Sequence, residues 1–138
     1  MAILTKKSIY GLMAIYELYR QRQKTNPIQL KEISQSTNIP KNYLEQIFVE
    51  LKKANLIIST RGAKGGYKIN QNRENISIKD VIIALDGHIS SAKERTTSPL
   101  LNLFFDDCDK KLANLFDKPL SKLEDYEQMV ANQINFSI

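Results

Sequence analysis

Leu30-Lys31-Glu32-Ile33-Ser34-Gln35-Ser36-Thr37-Asn38-Ile39-Pro40-Lys41-Asn42-Tyr43-Leu44-Glu45-Gln46-Ile47-Phe48 reads as two short helices joined by a tight turn, and Arg61-Gly62-Ala63-Lys64-Gly65-Gly66-Tyr67 follows it as a basic, glycine-rich hairpin. A helix-turn-helix followed directly by a basic hairpin is a winged helix, an arrangement suited to gripping duplex DNA. The expected fold class is mainly α with a small β-hairpin wing: a winged helix-turn-helix head carrying a long dimerisation helix.

Within that stretch, the helix expected over residues 29–36 turns Leu30 and Ile33 inward. Asn38 stands where the turn needs a left-handed backbone, which Asn tolerates best after Gly. Pro40 pre-sets the first turn of the next helix. There Leu44, Ile47, Phe48 and Leu51 repeat at i, i+3, i+4, i+7 and face the head, leaving Lys41, Asn42, Glu45 and Gln46 outward. Leu56–Thr60 and Tyr67–Asn70 pattern as the strands of the hairpin, with Gly62, Gly65 and Gly66 at its tip.

Upstream, Thr5 is an N-cap for a helix expected to run from Lys6 to about Lys24 and to end before Asn26-Pro27. Ile9, Leu12, Met13 and Tyr16 form one stripe, and Ile15, Leu18 and Tyr19 widen it, so this helix needs two partners, such as its own head and another subunit. Downstream, Ser77-Ile78-Lys79-Asp80 is a capping box with Asp in place of Glu, opening a helix that closes at Gly87. Residues 88–98 are a polar loop. Leu101, Phe104, Phe105, Cys108, Leu112, Leu115 and Phe116 share one face of a helix stopped near Pro119, and residues 120–130 form a last helix. The expected organisation is a DNA-binding head at 1–87, a loop at 88–98 and a helical dimerisation region at 99–138.

Composition agrees with a globular, DNA-binding chain. The hydrophobic share is 42% and the charged share 25%, both ordinary. Residues 1–80 hold 14 of the 20 Lys and Arg but 6 of the 15 Asp and Glu, a net +8 against −3 for the remainder. A basic front and an acidic back suggest a polyanion-binding head and a tail with another task. One cysteine excludes an internal disulfide framework and fits a reducing cytosol. The apolar run at 9–19 carries Glu17 and is too short to span a bilayer, so no membrane association is expected and the expected location is cytoplasmic.

The chain resembles the Rrf-two family of bacterial winged-helix regulators, most specifically in Tyr43-Leu44-Glu45-Gln46 and in the wing Arg61-Gly62-Ala63-Lys64-Gly65-Gly66-Tyr67. Asp80-Val81-Ile82 through Ala84-Leu85-Asp86-Gly87 adds support, as does Leu103-Phe104 to Phe116-Asp117-Lys118-Pro119-Leu120. The resemblance implies a homodimer on duplex DNA. Some members of the family carry an iron–sulfur cluster on three cysteines of the loop before the dimerisation helix. Here that loop, His88-Ile89-Ser90-Ser91-Ala92-Lys93-Glu94-Arg95-Thr96-Thr97-Ser98, has none. A [2Fe–2S] cluster needs four protein ligands, so the chain resembles a cluster-free branch. No cofactor or metal is expected.

The residue types suggest a division of labour. Lys6, Lys7, Lys31, Lys41, Lys52 and Lys53 are suited to phosphates, giving affinity without sequence information. Asn42 and Gln46 can pair with adenine and Glu45 can accept from cytosine. Tyr43 is suited equally to a thymine methyl and to core packing. In the wing, Gly65 and Gly66 keep the tip thin while Arg61 or Lys64 enters a narrow minor groove. A phosphate-cradling enzyme loop is excluded by context, because Gly65-Gly66 leads into a strand and not a helix. The apolar stripe around Cys108 favours a small packed residue over a redox switch. Leu101, Phe104, Phe105, Cys108, Leu112 and Leu115 are expected at the dimer interface. The function expected is a DNA-binding transcriptional regulator, a repressor on an inverted-repeat operator, with an effector molecule or regulatory protein of unknown identity. The alternative is a winged helix serving as a protein-interaction module. One His, one Cys and scattered carboxylates give no nucleophile–base pair or metal set, so no enzyme is expected.

Overall fold

The computed structural model describes residues 2–137, with side chains to Ile134. Its elements are α1 (Lys6–Arg20), α2 (Leu30–Thr37), α3 (Lys41–Lys53), β1 (Ile57–Thr60), β2 (Gly66–Ile69), α4 (Ile78–Asp86), α5 (Pro99–Phe116) and α6 (Lys122–Ser137).

Thr5 caps α1 as expected: its hydroxyl accepts from the Ser8 N–H at 3.2 Å and donates to Asp86 at 2.5 Å. The helix stops at Arg20, short of the expected Lys24. After Arg20 the backbone tightens into three-residue turns, with the Arg22 N–H donating to the Tyr19 carbonyl and Lys24 to Gln21. The Arg22 guanidinium also donates to the Tyr19 carbonyl and lies over the Tyr19 ring, 4.0 Å from its centre.

The buried face of α1 is not the Ile9–Met13–Tyr16 stripe. Ser8, Gly11, Ala14, Ile15 and Leu18 are inside, while Ile9 and Met13 are 47% and 41% exposed. The reason is the close approach of α4. A Cβ on Gly11 would collide with the Leu85 side chain. Small residues at positions 8, 11 and 14 let two helices meet where bulky ones would hold them apart.

α2 lies one residue later than expected, and Asn38 after it adopts φ 58°, the left-handed turn anticipated for it. Pro40 stands just outside α3 as its N-cap. Leu44, Ile47, Phe48 and Leu51 all point into the head. They form the centre of one core with Ile15, Leu18, Ile33, Leu56, Ile57 and Val81.

β1 and β2 pair antiparallel, Ile57 opposite Ile69 and Thr60 opposite Gly66. Leu56 and Asn70 fall just outside the strands. Ile28 forms a short bridge with Tyr67, each N–H donating to the other's carbonyl at 2.9 and 2.8 Å. A Cβ at Gly66 would strike the Ile28 carbonyl, so only glycine admits this bridge. The capping box on α4 is complete: Asp80 N–H donates to the Ser77 hydroxyl and Ser77 N–H to the Asp80 carboxylate. Gly87 closes α4 at φ 87°.

α5 begins at Pro99, capped by the Ser98 hydroxyl, and no residue along it is buried. The turn after it returns to the head. Leu120 is 2% exposed within the core, its N–H donates to Ile76, and the Ile78 N–H donates to Lys118. α6 runs well past the expected Val130. It is held against α1 and the turn after it by the Tyr16 hydroxyl donating to Glu127 at 2.6 Å and by ion pairs Arg20–Glu127 and Arg22–Glu124. Burial, then the hydrogen bond to Glu127, pushes the Tyr16 phenol up to about 12. Among the described residues no helix is long and apolar enough to cross a membrane.

Candidate nucleic-acid interface

The outward face of α3 presents Lys41, Asn42, Glu45 and Gln46, all exposed. Val49, half-exposed at 52%, continues that face one turn further on. Sequence reasoning passed over Val49 although it stands at i+7 from Asn42, because valine reads as core by residue type.

Tyr43 is half-buried and meets the Tyr10 ring edge-on, with centres 5.5 Å apart. Lys6 lies 5.3 Å over the other ring of that pair, Tyr10. Packing thus carries Lys6 from the start of α1 to the neighbourhood of the exposed α3 face. Lys7 is different: it pairs with Glu50 at 2.6 Å, which neutralises much of its charge towards any outside anion. Lys31, Lys41, Lys52 and Lys53 are exposed and make no ion pair among the described residues.

In the wing, Arg61, Gly62, Ala63 and Lys64 are exposed and Gly65 and Gly66 partly so. The tip is closed by the Gly65 N–H donating to the Gly62 carbonyl at 2.9 Å. A Cβ at Gly65 would collide with the Thr60 carbonyl, so the tight tip depends on glycine there. A shallow groove runs between the wing and the start of α2, bordered by Gln29, Leu30 and Arg61. The first turns of α2 and α3 carry no side-chain cap hydrogen bond, which leaves their N–H groups for an outside acceptor.

Along α5, Leu101, Phe104 and Leu115 are exposed, and Phe105, Cys108 and Leu112 are half-buried. Leu100 and Leu103 extend the apolar surface at 75% and 72% exposure. Their exposure leaves an apolar face of this size without a partner in a single chain.

The profile of the Rrf2 family, described as an iron-dependent transcriptional regulator, matches residues 4–128. The chain belongs to the Rrf2 family. It is 38% identical over 90 residues to the HTH-type transcriptional regulator IscR of Vibrio campbellii, an alignment covering 65% of this chain and 53% of that protein. The chain therefore spans about half the length of the curated relatives it matches. Among solved structures, IscR from T. potens superposes with a TM-score of 0.73 at 26% identity, over 91% of this chain and 89% of its own. CymR, the global cysteine regulator of B. subtilis, gives 0.72 at 30% identity, over 91% of this chain and 98% of its own. Both the mainly helical fold and the hairpin wing expected from the sequence are those of Rrf2 relatives.

The family description names iron, and the donor set of this member does not fit an iron centre. No group of three or more His, Cys, Asp or Glu side chains is placed to hold a metal ion among the described residues. Cys108, the one cysteine of the sequence, is half-buried on α5. The loop at 88–98 is held by charge and hydrogen bonds instead. Arg95 spans Asp106 and Asp109 at 2.9 and 2.7 Å, the Ser91 N–H donates to Asp109 at 2.6 Å, and the Asn102 amide donates to the Thr96 carbonyl.

Hydrogen bonds from Ser91, then Arg95, hold the Asp109 carboxyl down to about 2. Because the folded value is depressed, this clasp contributes fully above the ordinary carboxylate range and fades as the pH falls towards 2. Asp109→Asn keeps the shape and removes the charge. It is expected to speed amide exchange at Ser91 while the melting of the head stays unchanged, and unaltered exchange at Ser91 would count against the clasp.

Proposed function

We propose that this Rrf2 member is a sequence-specific DNA-binding repressor that works as a homodimer on an inverted repeat. The observation that carries the reading is the exposed polar face of α3 flanked by unpaired cations of the head and wing. Asn42 and Gln46 offer bidentate amides to adenine, Glu45 accepts from cytosine, and Val49 is suited to a thymine methyl. Tyr43 braces α3 through Tyr10 and offers its exposed part to the same groove. Lys6, Lys31, Lys41, Lys52 and Lys53 neutralise phosphates, and the uncapped starts of α2 and α3 add N–H donors. Lys7, already paired, contributes less. Arg61 and Lys64 enter the minor groove beside each half-site. Two heads related by a two-fold axis then place their reading helices one helical turn apart, or a multiple of that. A dimer seated on a promoter blocks it by occupancy.

The test begins with selection of bound fragments from genomic DNA, followed by titration of three variants on two operators at several salt concentrations. Gln46→Ala is expected to lose roughly 1–3 kcal/mol on the preferred site and to relax preference at one base pair per half-site. Arg61→Ala should weaken binding most where the flanks are A·T-rich. Lys52→Ala should weaken all sequences alike and flatten the slope of the salt dependence by about one unit for each phosphate it no longer neutralises. Uniform losses across all three variants would remove α3 from the reading role, and no selected fragment at all would favour a protein-interaction module.

A further inference from the structure

A cleft of about 390 Å³ lies where the end of α1, the chain leaving β2 and the α5–α6 turn meet. It falls within the rough 300–1,000 Å³ of small-molecule sites. None of its lining residues is acidic, while Arg22 and Arg73 both contribute. The buried side chains of Ile69, Ile76 and Leu120 supply an apolar portion of the wall.

Both guanidiniums are pre-positioned and only partly used. Arg22 is flattened on Tyr19 and gives one N–H to the Tyr19 carbonyl; Arg73 gives one to the Ala54 carbonyl at 2.8 Å. Each then meets its carboxylate loosely, Arg22 to Glu124 at 3.5 Å and Arg73 to Asp80 at 3.6 Å. Five N–H donors in a rigid fork leave capacity for a further planar anion. The nearby Glu124 and Asp80 disfavour a doubly charged one. A single carboxylate on a short apolar stem matches the fork and the wall together.

The position of the cleft matters as much as its chemistry. Leu120 and Ile76, both in its lining, are joined by one of the two backbone hydrogen bonds that pin the arm formed by α5 and α6 to the head. We propose that this cleft binds a small monocarboxylate and that the bound anion braces the α5–α6 turn against the head. The site is read on the free protein, so its failure is separate from any failure of the DNA-binding reading.

The experiment is an amide-resolved NMR titration of the full chain with butyrate, its neutral isostere butyramide, and inorganic phosphate. Butyrate is expected to shift the Gln71, Asn75 and Ser121 amides saturably, with a millimolar Kd. At saturation it should slow exchange of the Ile78 and Leu120 amides by about three-fold or more. Arg22→Lys, which keeps the charge but not the fork, and Arg73→Gln should each weaken binding by about ten-fold. Lys52→Gln should leave it unchanged. Equal shifts from butyramide, tighter binding of phosphate, linear shifts centred on α3 and the wing, or unchanged exchange at Ile78 and Leu120 would each overturn the proposal. The wild-type comparison of butyrate with butyramide decides the point even if a variant fails to fold.

Discussion

Replacing Phe104 and Leu115 together with glutamate is expected to convert a dimer into a folded monomer that no longer holds its operator. Phe104 is 58% and Leu115 68% exposed in the single chain, so neither change touches the core. Leu112 is half-buried and would confuse loss of assembly with loss of folding. Burying a Leu or Phe side chain contributes about 1.5–3 kcal/mol. In a two-fold interface each substitution counts twice, and four new carboxylates must also leave water. An interface buries only the part still exposed in the single chain, about three-fifths of each, so removing four such side chains takes away roughly 4–8 kcal/mol and shifts the dissociation constant by about three orders of magnitude or more. Sedimentation at micromolar concentration reads the change, and a thermal melt confirms that the head remains folded. A wild-type chain sedimenting as a monomer would overturn the dimer, and a variant still dimeric would move the interface off α5.

Leu120→Ala is expected to cost about 2–5 kcal/mol of stability, the range for emptying a buried leucine site. Leu120 is 2% exposed and sits in the same core as Leu51 and Val81, although it lies beyond the long α5. Its backbone N–H donates to Ile76 at 3.1 Å and the Ile78 N–H donates to Lys118 at 2.8 Å, so the turn is stitched directly beside the cap of α4. The loss should appear as a lower midpoint in a urea melt. Amide exchange at Ile78 and Leu120 should also quicken more than exchange in α3. A change in stability below about 1 kcal/mol would mean that the arm is anchored elsewhere, since even partial collapse of such a site costs more.

The elements of the winged helix were legible because their signals are local. Asn38 takes the left-handed turn, Ser77 and Asp80 close a capping box, and Gly87 ends α4; each follows from one residue's own backbone and its nearest neighbours. The stripe Leu44, Ile47, Phe48 and Leu51 needed only helical periodicity. The resemblance carried by Tyr43–Gln46 and the wing supplied the family, and the outward face of α3 followed by subtraction.

Tertiary structure decided everything that depends on which distant elements meet. Helical period showed that α1 has two apolar faces, but only the close fit of Leu85 against Gly11 selected the small-residue face for the interior. Tyr43 packs against Tyr10, a contact between separate helices that no local pattern announces. Lys7 looked like any other surface lysine until folding brought it to Glu50, and the loop at 88–98 looked featureless until Arg95 reached Asp106 and Asp109 on α5. The docking of α6 rests on Tyr16, Arg20 and Arg22 meeting Glu127 and Glu124, more than a hundred residues away in the chain. Local backbone preference acts over a turn or two of helix, so sequence alone determined the elements. Packing shape and charge pairing act through space, so the inner face of α1, the anchoring of the arm and the pairing of Lys7 were set only by the folded chain.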